Sequence, residues 1–349
     1  MATKKIYIGG FVLLMTMLNS CMQENTMNNE TLNQLNKNVQ KFNEVYEGEK
    51  INLAQVDLSG KKIKGAILIG ADLKGANLTS TQFIKCDLTG ADLSGAILEN
   101  TFFKKGNLEK VIIRGSTLKK VRIHHSMMQY SDLQGSDFDE LDVYKSELSY
   151  SNIDNTVFRK SAFYKSEVQD CKIRNSKMVN VIINDTNFID FDLSDSTVQG
   201  EIMESSHFGS CTLTRTDFSN SIFKGRLWSE PNFREADATH AKFKNCKFNF
   251  VSMMHLNVEN TDFSDSYLEL VEISTGNMKN TNFSRCTITG FNICDANLEN
   301  TNFSNVTFGG FFIADGAIFK NTNFTGATNK IEELDLLNTV YEGKGLPIK

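Results

Sequence analysis

Residue types that could perform nucleophilic catalysis come close together near residue 125. His124, His125 and Ser126 are consecutive, and Asp132 follows shortly after them. A serine that a histidine activates and a carboxylate orients is the usual arrangement for acyl transfer. Spacing alone does not show whether these side chains can meet, so the question depends on the elements that carry them.

A second set of side chains is basic and aromatic, with Phe102 and His125 interleaved among its members. Its cations could pair with phosphates or carboxylates, and its flat rings could cover the apolar faces of sugars. We call this set the basic–aromatic stripe and predict that it binds an anionic partner. Its members are Lys62, Lys64, Lys85, Lys104, Lys105, Arg122, His124, Tyr144, Lys145, Tyr164 and Lys165.

Both sets lie within a repeat of five residues. From Leu53 to Ile313 every fifth residue is apolar, and the residue two positions before it is usually Ala, Ser, Thr, Cys, Gly or Val. Residues two apart point to the same side of an extended chain. The next small residue comes three positions later, so the chain must turn a corner. Repeated corners wind the chain into a coil with a filled interior.

The phenylalanines indicate how many sides the coil has. A coil of twenty residues with four sides would stack like side chains on like. Many of the central phenylalanines are separated by multiples of twenty, as this arrangement predicts. They are Phe83, Phe103, Phe163, Phe223, Phe243, Phe263, Phe283 and Phe303.

The repeat motif is clearest in Ala71-Asp72-Leu73, Ala76-Asn77-Leu78, Ala91-Asp92-Leu93, Ala296-Asn297-Leu298 and Thr301-Asn302-Phe303. With these motifs the chain resembles the pentapeptide repeat family, whose members read A-(D/N)-L-x-x. The resemblance implies an all-β fold, a right-handed four-sided parallel β-helix. At about 4.8 Å for each stacked coil, roughly 13 coils would make a rod of about 60 Å.

Residues 1–20 are predicted to be a secretory signal. Their apolar run, Ile6–Leu18, follows two lysines and is too short to span a membrane comfortably. The run ends in Leu-x-Ser-Cys, which resembles a bacterial lipoprotein signal and implies cleavage before Cys21 and acylation of its thiol. The resemblance therefore predicts export and anchoring to a bilayer, and by resemblance to enterobacterial sorting Met22 favours the outer membrane.

The remaining segments are predicted to be a tether, two caps and the repeat itself. Residues 21–30 are polar and predict a flexible tether. Apolar residues at helical spacing predict an N-terminal capping helix over 31–50 and a C-terminal capping helix and tail over 329–349. The β-helix occupies 51–328, and the phase of the repeat moves by one residue after Ile313.

The cysteines are predicted to be small buried hydrophobic residues. None of the inward cysteines is twenty residues from another, so no disulfide between adjacent coils is expected. No C-x-x-C or His–Cys cluster occurs, and no phosphate-binding glycine loop, so we predict no metal site and no cofactor. The inward cysteines are Cys86, Cys171, Cys211, Cys246 and Cys286.

The repeat argues against catalysis. Ser126 falls at an inward position, whereas His124 and His125 fall at a corner. A filled rod with flat faces also has no cleft of the usual ligand-binding kind. The chain is therefore predicted not to be an enzyme.

The least regular stretch contains Arg226, Trp228 and Pro231. Arg226 and Pro231 fall at inward positions, and Glu201 does so a coil earlier. A buried charge must be paired or bent out to water, so we predict a local kink or bulge. A notch around Trp228 is the functional alternative.

Function is predicted to lie on the surface of the rod. The formal net charge of the chain is −5, yet the outward positions on the side of the stripe sum to a positive charge, and the other three sides sum to negative charges. We predict a non-enzymatic, lipid-anchored envelope protein that presents a binding or scaffolding surface to an anionic glycan, a lipid headgroup or a protein. Export disfavours nucleic acid, and a homodimer stays open.

Two alternatives remain. Some pentapeptide repeat proteins protect DNA gyrase from quinolones by presenting an acidic rod that mimics DNA. The export signal, the mildly acidic sides and the absence of an interrupting loop argue against that role here. The other alternative is a passive structural spacer, for which replacement of the stripe would change nothing.

Overall fold

The computed structural model describes residues 30–35, 37–47, 51–202, 206–225, 233–336 and 338–344. These residues form a parallel β-solenoid of about 13 turns, preceded by helical structure. The predicted signal 1–20 and Cys21 lie outside the described residues, as does nearly all of the predicted tether. Within the described part of the chain, no helix is both long and apolar enough to cross a membrane.

The helix α1 spans Val39–Val45. The strands are short because each side of a coil offers only about three residues between corners. In chain order they are β1 (Lys62–Lys64), β2 (Gln82–Ile84), β3 (Phe102–Lys104), β4 (Thr117–Lys119), β5 (Arg122–His124), β6 (Asp137–Asp139), β7 (Asp142–Tyr144), β8 (Val157–Arg159), β9 (Ala162–Tyr164), β10 (Glu167–Gln169), β11 (Lys177–Asn184), β12 (Asn187–Ile189), β13 (Thr197–Ile202), β14 (Ile222–Lys224), β15 (Lys247–Ser252), β16 (Tyr267–Glu272), β17 (Thr287–Asn292), β18 (Thr307–Ile313), β19 (Ile318–Asn323), β20 (Thr328–Asp335) and β21 (Val340–Lys344).

Each strand pairs in parallel with the strand one coil later. The β1–β2 pair aligns Ile63 with Phe83, and β2–β3 continues the same register. The Leu53 N–H donates to the Asp72 carbonyl at 2.7 Å, and the Asp72 N–H donates back to the Ile51 carbonyl at 2.8 Å. The repeat of twenty residues is therefore the repeat of the hydrogen-bond ladder.

The central residues fill the interior in stacks. Phe243, Phe263, Phe283 and Phe303 have ring centroids 4.8, 4.9 and 5.0 Å apart in successive coils, with nearly parallel planes. Burial of each such ring contributes roughly 1.5–3 kcal/mol. A single coil cannot bury both faces of its rings, so stability comes from stacking.

The small inward residues satisfy carbonyls of the preceding coil. Thr81 Oγ1 donates to the Leu58 carbonyl at 2.8 Å, and Thr301 Oγ1 donates to the Met278 carbonyl at 2.7 Å. Buried hydroxyls need such partners. This is why Ser and Thr are as acceptable as Ala at a position that is otherwise apolar.

The helix α1 covers the open end of the first coil. Phe42, a residue of this helix, is fully buried. The Asn43 side chain donates to the Gly65 carbonyl and accepts from the Ile67 N–H, both at 2.9 Å. The helix lies within the predicted range 31–50, and it supplies polar partners to a strand edge that would otherwise be unpaired.

The predicted C-terminal capping helix is wrong. Thr328–Asp335 forms strand β20 on β18, and Val340–Lys344 forms strand β21 on β19. The apolar spacing around Ile331 fits a helix, but the last coil presents a free parallel edge. Pairing with that edge satisfies backbone groups that a helix would leave open, so the coil continues.

The coil that contains Thr212 is five residues longer than the others. Thr212 aligns with Asp237, and Phe223 aligns with Phe248. The prediction that Phe223 and Phe243 share one stack is therefore wrong: Phe223 stacks on Phe248 with ring centroids 4.7 Å apart, and Phe218 stacks on Phe243 at 4.9 Å.

The additional residues fall between Gly225 and Phe233, because the alignment is regular on both sides of that segment. Arg226, Trp228 and Pro231 lie outside the described residues. The net charges predicted for the four sides of the rod assumed a constant period of twenty residues. They do not hold for residues after this segment, because the period changes there. The stripe ends at residue 165 and is unaffected.

The inward position predicted for Glu201 is wrong. Ile202 aligns with Ile183 in the central column, and Gly200 aligns with Val181. The backbone of Glu201 thus stands one position before the central residue. One residue is missing between Val198 and Ile202 relative to the repeat, so the central position falls at residue 202 instead of 203. The period of five did not reveal this shift, because residue 203 is also apolar.

A similar shift corrects the end of the predicted run. The register of β17 and β18 shifts near Gly310, and the Ile293 N–H donates to the carbonyl of Ile313. That carbonyl belongs to the residue before the central one. Ala314, which is fully buried, is therefore the central residue instead of Ile313.

Gly200→Ala is expected to destabilise the rod. A Cβ at Gly200 would collide with the Val181 backbone, and overpacking of this kind costs about 1–3 kcal/mol. The measurement is the midpoint of thermal unfolding by circular dichroism. Gly209→Ala is the control, because the nearest atom to its Cβ, the Arg234 carbonyl oxygen, is 3.8 Å away. Equal midpoints for the two variants would contradict the assigned register.

Candidate functional site

The stripe residues lie on one side of the rod, in three columns that run along its length. Strands β1, β2, β3, β5, β7 and β9 lie one above another and align residue by residue. The residues before the central position include Lys62, Phe102 and Arg122. Those after it are Lys64, Ile84, Lys104, His124, Tyr144 and Tyr164. The corner residues after these are Gly65, Lys85, Lys105, His125, Lys145 and Lys165.

The corner column holds five basic residues in five successive coils. Lys85, Lys105, His125, Lys145 and Lys165 are all exposed, and their φ angles lie between 49° and 54°. This is the left-handed region, which costs an ordinary residue roughly 1–2 kcal/mol and suits Gly, Asn and Asp. The basic residues therefore occupy a backbone position that other types fill at lower cost.

Carboxylates neutralise only part of the stripe. Asp142 Oδ2 lies 2.9 Å from His124 Nε2, and Lys165 Nζ lies 3.7 Å from Asp185 Oδ2. Within the described ranges, the structure gives no carboxylate within 4.0 Å of the ammonium groups in the rest of the corner column. The corner therefore presents a positive surface to solvent.

The rings of the stripe pack edge to face. The register brings His124, Tyr144 and Tyr164 into one column, and the rings of His124 and Tyr144 meet at 65° with centroids 5.7 Å apart. Phe102 meets His124 at 82°, and the Arg122 guanidinium lies 4.5 Å from the Phe102 centroid. These contacts hold the cation over a ring face while its N–H groups remain able to bind a ligand.

Tyr130 and Tyr150 stack on each other at the next corner. Their centroids are 5.0 Å apart and their planes differ by 10°. Lys110 Nζ lies 6.0 Å from the Tyr130 centroid. Each ring therefore covers one face of the other, and both tyrosines remain exposed to solvent.

A surface cavity of about 300 Å³ lies beside the corner column. Its lining includes Lys145, Lys165 and His125 of the corner column, together with Glu147 and Glu167. Desolvation, followed by the charges of Lys145 and Lys105, lowers the pKa of His125. At neutral pH the imidazole is therefore mainly neutral, and the permanent charges of this corner are those of lysines.

The serine–histidine–aspartate set does not assemble. Ser126 is buried, and its Oγ donates to the His124 carbonyl at 3.0 Å and accepts from the Gly106 N–H at 3.2 Å. Asp132 lies on another side of the rod, where it accepts a hydrogen bond from Arg114. Ser126 is thus a structural residue of the interior.

The inward cysteines are buried thiols. Among the cysteines that the structure describes, all are free. Cys171 Sγ donates to the Leu148 carbonyl at 3.1 Å. Burial raises the pKa of Cys171, Cys246 and Cys286 to about 12. Protonated thiols of this kind are poor nucleophiles and poor metal ligands.

Polar ladders on two other sides were not predicted. Asn280 Nδ2 donates to Asn260 Oδ1 at 3.0 Å, and Asn300 Nδ2 donates to Asn280 Oδ1 at 3.0 Å. Arg285 similarly forms two hydrogen bonds with Asp265, at 2.6 and 2.8 Å. The signal was present in the sequence, because like or complementary residues recur at intervals of twenty.

The fold and this surface define a solenoid that displays side chains in columns. Residues 51–90, 86–124, 232–269 and 277–311 match the family model described as pentapeptide repeats, in eight copies. Over these stretches the chain consists of pentapeptide repeats. Comparison with curated proteins gave no match.

Several solved structures are similar to this chain. QnrB1, described as a plasmid-mediated fluoroquinolone resistance protein, is 22% identical over 54% of this chain and 89% of its own, with a TM-score of 0.34. HetL from the cyanobacterium Nostoc sp. strain PCC 7120, described as involved in heterocyst differentiation regulation, is 16% identical over 87% and 94%, with a TM-score of 0.21. The A-module of the Azotobacter vinelandii mannuronan C-5 epimerase AlgE4 is 12% identical over 86% and 93%, with a TM-score of 0.32.

Lys105→Asn is expected to stabilise the rod by about 1 kcal/mol, because asparagine adopts the left-handed conformation more readily than lysine. Lys104→Asn makes the same change of charge one residue earlier, in an extended strand where asparagine is disfavoured. The thermal midpoint should therefore rise for the first variant and not for the second. A rise in both, or in neither, would show that the corner conformation is not the cause.

Proposed function

We propose that this pentapeptide repeat protein is a non-enzymatic, lipid-anchored protein of a bacterial envelope whose rod binds an anionic ligand along the basic–aromatic stripe. The observation that carries the proposal is the corner column, with Lys85, Lys105, His125, Lys145 and Lys165 in five successive coils. Neighbouring positions in the column are about 4.8 Å apart along the rod.

The column combines two unfavourable features. Lys85 and Lys105 are like charges in adjacent coils, as are Lys145 and Lys165, and such pairs repel by up to about 1 kcal/mol each in water. Each residue of the column also adopts left-handed backbone. Another corner of the same coils avoids both costs with Gly75, Gly95, Gly115 and Gly135. An anionic ligand would convert the repulsion into attraction, which supports binding as the role of this side.

The acidic sides do not favour mimicry of DNA. Arg215 forms hydrogen bonds of 2.5 and 2.7 Å with Asp195, and Arg174 binds Asp154. Desolvation of Asp154 acts in the opposite direction, yet the hydrogen bonds from Arg174 lower its pKa overall. These carboxylates are neutralised by neighbouring coils instead of forming an uninterrupted negative row.

The binding proposal is tested with a fourfold variant of the corner column. The probes are polygalacturonate, polyphosphate and vesicles that contain an anionic phospholipid. The variant carries Lys85→Gln, Lys105→Gln, Lys145→Gln and Lys165→Gln, and the charge-matched control carries Lys172→Gln, Lys177→Gln, Lys242→Gln and Lys244→Gln on other sides.

The corner variant should lose about tenfold or more in affinity for the bound probe, as expected for several exposed ion pairs. The control should bind like the unchanged protein. Equal losses in both variants would mean that only total charge matters. No loss in either variant, or no binding of any probe, would leave a passive spacer as the function.

The anchoring proposal rests on the sequence that ends at Cys21. We expect an intact mass that exceeds that of the cleaved chain by a diacylglycerol-sized increment, together with recovery in the membrane fraction. Both should be lost in Cys21→Ala, and Ser20→Ala serves as the control because it keeps the thiol. An unprocessed, soluble chain would contradict the proposal.

A further inference from the structure

Every coil of the stripe offers at least one permanent cation. Successive coils offer Lys62 and Lys64, then Lys85, then Lys104 and Lys105, then Arg122, then Lys145, then Lys165. The corner residues are aligned by the ladder, as in the Lys105 N–H to His124 carbonyl bond at 3.0 Å. The stripe therefore repeats its charge about every 4.8 Å over six coils.

Rings lie directly beside these cations. Lys145 Nζ is 5.2 Å from the centroid of Tyr144, and Tyr144 and Tyr164 align in adjacent coils as half-buried residues. A ligand that follows the cations would therefore also meet aromatic edges and phenol hydroxyls. Sugar rings, which have apolar C–H faces and several hydroxyls, complement such a surface.

The carboxylates of the cavity distinguish between anionic polymers. Glu147 and Glu167 line the same cavity as Lys145 and Lys165. Carboxylates accept hydrogen bonds from hydroxyls but repel additional negative charge. Both oxygens of Glu167 already accept from Asn187 Nδ2 at 3.0 Å, which fixes this carboxylate in place. A polymer whose units carry hydroxyls as well as one charge can donate hydrogen bonds to these carboxylates. A polyphosphate has no such hydroxyls and does not suit them.

We infer that the stripe takes a linear polyuronate, with one carboxylate on each sugar ring, extended along the rod axis. A pyranose ring with its linkage advances a chain by close to the distance between coils, so each ring occupies about one coil and its carboxylate meets a cation of that coil. Hydroxyls of the ring in the cavity donate to Glu147 and Glu167. The inference rests on the proposed anion-binding function and specifies its ligand.

The test is the length dependence of binding, measured by isothermal titration calorimetry with oligogalacturonates of three to eight rings. Each ring added up to six should raise affinity by about threefold, as expected for an exposed ion pair, and further rings should add less than about twofold. Hyaluronan oligosaccharides with the same number of carboxylates, placed on alternate rings, should bind more weakly. Polyphosphate of matched charge should also bind more weakly.

Two variants locate the ligand. Lys165→Gln removes the last cation of the stripe, so the plateau should move from about six rings to about five. Lys172→Gln, an exposed lysine on another side, should leave the plateau unchanged. Both variants replace exposed side chains, and thermal midpoints confirm that each is folded.

The outcomes separate the inference from the proposed function. A plateau near six rings that Lys165→Gln shortens supports the inference. Affinities that follow total charge, equal for galacturonate, hyaluronan and polyphosphate, overturn it while anion binding by the stripe stands. Failure of every probe to bind overturns the inference and the binding function together.

Discussion

The parallel hydrogen-bond ladder between successive coils is the interaction on which the rest of the structure depends. It places each residue directly above the residue one coil earlier, as in the alignment of Ile63 with Phe83. The same ladder that stacks phenylalanine rings inside the rod therefore stacks lysines outside it. Interior stability and surface pattern are two results of one register.

Much of the fold could be predicted because each repeat meets the same surroundings. The central residues, the small inward residues and the chain's corners follow from a period of five, and the four sides follow from a period of twenty. Register shifts could not be predicted in this way. Ile202 and Ile313 each have an apolar or small neighbour that fits the interior equally well, and only alignment with the adjacent coil decides between them.

The candidate surface shows a similar limit. The columns of the stripe follow from the period, because no register shift precedes residue 165. The angles between rings do not, because outward side chains are not confined by packing: His124 and Tyr144 meet edge to face, whereas Tyr130 and Tyr150 stack. The prediction of a C-terminal helix failed for another reason. Pairing with the free edge of β18 outweighed the helical spacing of the apolar residues around Ile331.

The long coil between Thr212 and Asp237 has a wider consequence. Five additional residues leave the alignment intact on both sides, from Phe223 on Phe248 to Phe233 on Phe208. The irregularity is confined to one layer of the stack and does not propagate to the neighbouring layers. A solenoid of this kind can therefore gain sequence within a single layer while every column above and below it remains continuous, which makes this layer a natural place for new segments to enter the rod.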